Sequence, residues 1–207
     1  MNSVTTLYYV HDPMCSWCWA FRPSLNALLA ELPEQIDVIR LLGGLAVDSD
    51  EPMPDATKAY VQRNWQAIEQ RVPETKFNYD FWEYCQPRRS TYPACRAVIA
   101  ARAQGKEFDK KMTLAIQQAY YLQARNPSDV SVLTELAIEV GLDKDKFNAG
   151  LLSAETDEIL QKEINLSRQL GLNSFPGLLL DTGDKQIRID PEYLNADIML
   201  KKMLPCF

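Results

Sequence analysis

The sequence predicts an α/β protein in which one short mixed sheet is interrupted by a long all-helical insertion. Three observations predict it. A strand, helix, strand pattern runs from Leu7 to Gly44, almost every segment from 55 to 170 carries helical period, and a strand hairpin with a closing helix follows Gly171. The expected division is a discontinuous sheet domain, 1–54 and 171–207, around a helical domain, 55–170.

Leu7-Tyr8-Tyr9-Val10 is a run of aromatic and branched residues suited to a buried strand. From 16 to 32 the apolar residues Cys18, Phe21, Leu25, Leu28 and Leu32 recur at three- and four-residue steps, the mark of an amphipathic helix. Pro23 is expected to kink it, because proline removes an N–H and clashes with the preceding turn. Residues 37–42 read as a second strand ended by Gly43-Gly44, and a crossover of this kind makes the two strands parallel neighbours.

In the insertion, helices are expected over 57–71, from Ser90-Thr91 ahead of Pro93 to Gly105, and over 107–124 with Phe108, Met112, Ile116, Ala119 and Tyr120 on one face. Another runs from beyond Asn126-Pro127-Ser128-Asp129 to Gly141. Ser153 caps the next, whose first turn holds Glu155, Asp157 and Glu158, where acids favour the helix dipole; Gly171 stops it. Leu178-Leu179-Leu180 and Gln186-Ile187-Arg188-Ile189 flank the turn Asp181-Thr182-Gly183-Asp184 as a hairpin, and 191–203 closes the chain as a helix.

Composition narrows the classes of function. With 28 acidic against 22 basic side chains, the net charge of -6 argues against a nucleic-acid groove. No apolar run approaches the length that spans a bilayer. Met1-Asn2-Ser3-Val4-Thr5-Thr6 has no basic region and no signal-like apolar stretch, so a cytoplasmic location is expected. The 5 cysteines are odd in number and a chain of 207 residues needs no staples, which argues against a disulfide framework. A structural zinc site wants a second Cys or His pair; the single histidine, His11, lies in the same loop as Cys15 and Cys18, and Cys85 and Cys95 lack knuckle spacing. No metal is expected.

The informative motif is Cys15-Ser16-Trp17-Cys18, placed straight after a strand and opening a helix. Unpaired N–H groups at a helix start favour an anion, and the thiolate is the nucleophile. Cys18, one turn later on the inward face, is expected to resolve the mixed disulfide that Cys15 forms. Trp17 offers an apolar face to substrates, whereas Trp19 belongs to the core. His11 and Asp12 are candidates for tuning the reactive pair. As imidazolium His11 would stabilise the thiolate; as a neutral ring it would cap the strand end. Asp12 would take the proton of Cys18 or accept helix N–H groups as a cap. Cys95 reads as a third thiol or a buried inert one, and Cys85 and Cys206 as structural. Arg88-Arg89 would attract carboxylates or remain solvated.

The second feature is Ser174-Phe175-Pro176-Gly177, immediately before the third strand. With it the sequence resembles the thioredoxin superfamily, whose cis-proline loop faces the reactive cysteine. The insertion between βαβ and ββα halves resembles the DsbA-like branch. Asp12 to Trp19, Gly43-Gly44-Leu45 and the segment from Ser90 to Ala97 resemble the FrnE-like oxidoreductases within it. Two departures stand out: Ser16-Trp17 replaces the Pro-His of the strongly oxidising enzymes, and Gly177 follows the proline where small hydroxyl residues are common.

The resemblance implies a thioredoxin fold and a thiol-disulfide oxidoreductase or isomerase, with Phe175, Pro176 and Trp17 contacting substrate. It implies no cofactor beyond a redox-active Cys15–Cys18 disulfide, with glutathione as a candidate co-substrate. Partners would be cysteine-containing proteins or low-molecular-weight thiols, with no nucleic acid or membrane, and the oligomeric state is left open. Two rivals share the fold. One is a glutathione-dependent isomerase or kappa-type transferase, which usually carries a lone serine at the attacking position. The other is an adaptor that presents partners to a protease.

Overall fold

The computed structural model describes residues 5–206; residues 1–4, which enter the leader reading, and the side chain of Cys206 lie outside the described residues. Strand β1 (Thr6–His11) pairs in parallel with β2 (Asp37–Leu42), from Thr6 opposite Asp37 to His11 opposite Leu42. On its other side β1 runs antiparallel to β3 (Gly177–Asp181), with Val10 opposite Gly177, and β4 (Gln186–Ile189) completes the edge. The order β2-β1-β3-β4 makes β1 an interior strand, so the loop at its carboxyl end is flanked by strands from both halves of the chain.

Alternation along β1 sends Leu7 and Tyr9 to one face and Tyr8 and Val10 to the other. On the first face lie α1 (Ser16–Glu31) and α9 (Ala196–Met203), where Phe21, Leu25, Leu28, Met199 and Met203 pack on Leu7, Leu178, Leu180 and Ile189. Each such side chain, fully buried, contributes about 1.5–3 kcal/mol. Pro23 lies inside α1, which continues through it to Glu31.

The insertion holds α2 (Asp55–Arg71), α3 (Phe81–Tyr84), α4 (Tyr92–Arg102), α5 (Glu107–Leu122), α6 (Val130–Glu139) and α7 (Lys144–Leu151), followed by α8 (Ala154–Gln169). Its centre is α4, where buried Ala94, Ala97, Ala100 and Ala101 let neighbouring helices approach closely. Helix α8 serves two layers. Leu160 and Ile164 join the helical core, while Leu166 and Leu170 cover Val10, Leu41, Leu172 and Leu179 on the second face of the sheet.

Several elements differ from the sequence expectation. Helix α7 is additional: Asp143 caps it by accepting the Lys146 N–H at 2.9 Å, and Phe147 and Leu151, four apart, are buried. The single turn α3 is also additional. Helix α4 stops at Arg102, and α5 stops at Leu122, with Ala124 at a φ of 52°. The closing helix starts at Ala196 rather than Pro191. Asn195 accepts the Asp197 N–H at 3.0 Å as its N-cap, which leaves Tyr193 in the preceding loop.

Candidate active site

Strand β1 delivers the chain to Asp12, whose carbonyl accepts the Cys15 N–H at 3.0 Å and closes a tight turn. Cys15 is thereby the N-cap of α1, and its Sγ accepts the Cys18 N–H at 3.4 Å, a position normally held by a capping oxygen. The same thiol faces the Phe175 carbonyl oxygen at 3.6 Å, across a sequence separation of 160 residues. The Phe175–Pro176 bond is cis. Gly43 permits this approach, since a Cβ there would lie 2.1 Å from the Phe175 ring.

Of the two thiols, Cys18 is the deeper, 1% exposed against 6% for Cys15. Burial pushes the Cys18 thiol well up, and the adjacent Cys15 pushes further. Tyr9, buried beside it, is also pushed well up, first by burial and then by Cys18, with which its hydroxyl shares a hydrogen bond.

Asp12 is wholly buried and fully engaged. Its Oδ1 accepts the Met14 N–H at 2.8 Å, and its Oδ2 accepts from the Leu45 N–H at 2.7 Å, the Thr91 hydroxyl at 2.6 Å and the Cys95 thiol at 3.5 Å. Burial raises the carboxyl above the ordinary range despite these donors, which pull the other way. The arrangement ties the reactive loop to the Gly44-Leu45 turn and to α4. Cys95, 0% exposed, is pushed well up by burial and then by Asp12, so it is a buried thiol held against a carboxylate.

Of the two readings of His11, the surroundings favour the neutral ring. The ring is buried, stacks on Tyr9 at 4.9 Å, and its Nε2 lies 3.1 Å from an Arg40 guanidinium nitrogen. Desolvation first, then Arg40 and Arg102, hold His11 well below its ordinary value, which favours the neutral form. Arg40 in turn pairs with Asp109 at 2.6 Å.

Trp17 is half-buried and meets Tyr193 edge to face at 5.3 Å, while Trp19 is buried and donates its indole N–H to the Lys76 carbonyl at 3.2 Å. Arg88, read above as a carboxylate ligand or a solvated charge, is committed to Asp129 at 2.7 Å and to the Ser128 carbonyl. Cys85 donates to the Ala124 carbonyl at 3.0 Å, away from the motif, and burial pushes it up. Sequence reasoning missed Tyr9, Thr91, Arg71 and Tyr193 as parts of the site. The capping pattern at Asn195 was the available signal that Tyr193 lies in a loop; Arg71 carried none.

A four-stranded sheet of βαβ and ββα halves, divided by helices and bearing Cys-x-x-Cys at the start of its first helix, defines a DsbA-like protein of the thioredoxin superfamily. A sequence model of the thioredoxin family matches residues 8–189, and the chain belongs to that family. The cytosolic disulfide reductase DsbM from Pseudomonas aeruginosa, also solved with GSH, is 25% identical with a TM-score of 0.77, covering 98% of this chain and 100% of that one. A Nitrosomonas europaea structure superposes with a TM-score of 0.82 at 24% identity, covering 97% and 98% of the two chains. Among curated relatives, the ClpXP adapter protein SpxH of Bacillus subtilis is 23% identical over 172 residues. That match takes in 83% of this chain and 56% of SpxH, so the chain spans little more than half the length of that relative. No helix among the described residues is long and apolar enough to cross a membrane.

Proposed function

We propose that this protein is a thiol-disulfide oxidoreductase of the cytoplasm, working through Cys15 and Cys18. The observation that carries this reading is the Cys15 sulfur at the N-cap of α1, 3.6 Å from the Phe175 carbonyl. The Cys15 thiolate attacks one sulfur of a substrate disulfide, forming a Cys15–substrate disulfide and releasing the first substrate thiol. Cys18, once deprotonated, attacks the Cys15 sulfur, closing the Cys15–Cys18 disulfide and releasing the second thiol. Two electrons pass from protein to substrate, and the reverse sequence oxidises a dithiol. Burial raises the Cys18 thiol, which favours its protonated form before exchange begins. An extended substrate backbone pairs at Phe175 by strand addition, with Trp17 beside it. The likeness to a cytosolic disulfide reductase supports the reducing direction and the location, and the GSH complex of that protein supports glutathione as co-substrate.

The test is the redox equilibrium of Cys15–Cys18 in glutathione buffers. A reductase settles near the thioredoxin value of about -270 mV, and an oxidant near about -120 mV. Loss of disulfide reduction in Cys15→Ser completes the test. The SpxH relatives motivate a second reading, an adaptor, which gains if Cys15→Ser abolishes exchange yet leaves the cellular effect of the protein intact.

A further inference from the structure

Arg71 closes the last turn of α2, the helix end that favours a cation. Its guanidinium lies over two rings at once, 5.7 Å from the Trp17 centroid and 5.3 Å from that of Tyr193. Trp17 stands inside the reactive motif. Tyr193 meets Trp17 edge to face at 5.3 Å, so the guanidinium, Tyr193 and the motif tryptophan form one contiguous group. Stacking of this kind orients an arginine while leaving its N–H donors free for a planar anion.

Arg71 is exposed, and among the described residues no carboxylate lies within ion-pair distance of it. Arg40, Arg88, Arg96, Arg102 and Arg125 each hold one; of the arginines without one, Arg71 is the one stacked on Trp17 of the reactive motif. In a chain of net charge -6, a free guanidinium at the rim of the reactive pair is a specific positive feature. Beside it opens a cavity of about 320 Å³ with Trp19, Arg22, Val72, Glu74, Tyr193 and Leu194 in its wall, room for the body of a small peptide that carries charge of both signs.

We propose that Arg71 is the anion receptor of the exchange site, selecting small thiols and disulfides that carry a carboxylate near the reacting sulfur. This rests on the exchange reading and adds its substrate class. The aromatic pair holds the guanidinium in place, the guanidinium takes the carboxylate, and the substrate sulfur is thereby presented to Cys15.

Stopped-flow oxidation of the reduced protein, followed by tryptophan fluorescence, tests it with three disulfides: anionic oxidised glutathione, neutral hydroxyethyl disulfide and cationic cystamine. The wild type should react faster with oxidised glutathione than with cystamine. In Arg71→Ala that ratio should fall about 5–10-fold, Arg71→Lys should retain most of it, and high salt should draw the wild-type ratio toward that of Arg71→Ala. A ratio unmoved by Arg71→Ala, or equal slowing with all three reagents, overturns the proposal and leaves Arg71 as a prop for Trp17. If the wild type reacts with none of the three, the exchange reading itself falls, a result distinct from loss of charge selection.

Discussion

The Thr91 hydroxyl donates a 2.6 Å hydrogen bond to the Asp12 carboxylate, joining the N-cap of α4 to the residue that precedes the reactive loop. Both side chains are buried, and Asp12 collects two further backbone donors from separate turns. Helical insertion and sheet are thus coupled through one carboxylate three residues before the first thiol of the motif.

Thr91→Val removes that donor without changing side-chain shape. A lost hydrogen bond to a buried charged group costs about 1–3 kcal/mol. The folded Asp12 carboxyl is raised, so its contribution is full below the unfolded value of about 3.9 and declines as pH rises through the folded value. Thr91 opposes that decline by stabilising the ionised form. The deficit of Thr91→Val, measured by urea unfolding, should therefore be larger at pH 8 than at pH 4; equal deficits would leave Thr91 as the acceptor of the Ala46 N–H at 3.0 Å, with no hold on the Asp12 charge.

His11 shifts in the sense opposite to Asp12, so the two groups act on stability with opposite dependence on pH. Its folded value is depressed, so its contribution is present above the unfolded value of about 6.5 and is lost as pH falls below it. Wild type and His11→Gln, unfolded in urea from pH 7.5 to 5, should differ in slope by up to one proton, about 1.4 kcal/mol per pH unit. Parallel curves would mean that His11 protonates as readily in the folded protein as in the unfolded chain.

Gly43→Ala drives a methyl group into the Phe175 ring, whose nearest atom lies 2.1 Å from that position. Overpacking of this kind costs about 1–3 kcal/mol, and here it displaces the residue whose carbonyl faces Cys15. Exchange with a protein disulfide should slow by about tenfold or more, and the double variant Gly43→Ala/Phe175→Ala should recover part of that loss relative to Gly43→Ala alone. Additive losses in the cycle would show that the two residues act separately.

Cys18→Ala should accumulate mixed disulfides with substrate proteins on non-reducing gels, because the Cys15 adduct has no resolving thiol, whereas Cys15→Ala should trap little. Comparable trapping by both variants would reverse or dissolve the division of labour between the two cysteines.

The features legible in the chain were those decided by neighbours in sequence. The aromatic and branched run from Leu7 to Val10, the three- and four-residue spacing from Cys18 to Leu28, and the turn at Gly183 depend on local sequence, and they predict β1, α1 and the hairpin with small errors at the ends. The position of Cys15 at a helix start belongs to the same class. Helix α7 escaped because eight residues with two buried apolar positions leave little periodic signal.

The sequence by itself determined that a Cys-x-x-Cys pair opens a helix after a strand, and that a proline precedes the strand returning to the same sheet. Only the tertiary structure decided what surrounds that pair. The Phe175 carbonyl, the Thr91 and Cys95 donors to Asp12, the Arg40 contact that goes with a neutral His11, and the Arg71–Trp17–Tyr193 stack join residues far apart in the chain. The physical reason is that desolvation and charge act through space. A side chain buried against partners from a distant segment takes its protonation and its hydrogen bonds from them, and no local pattern encodes which partners they will be.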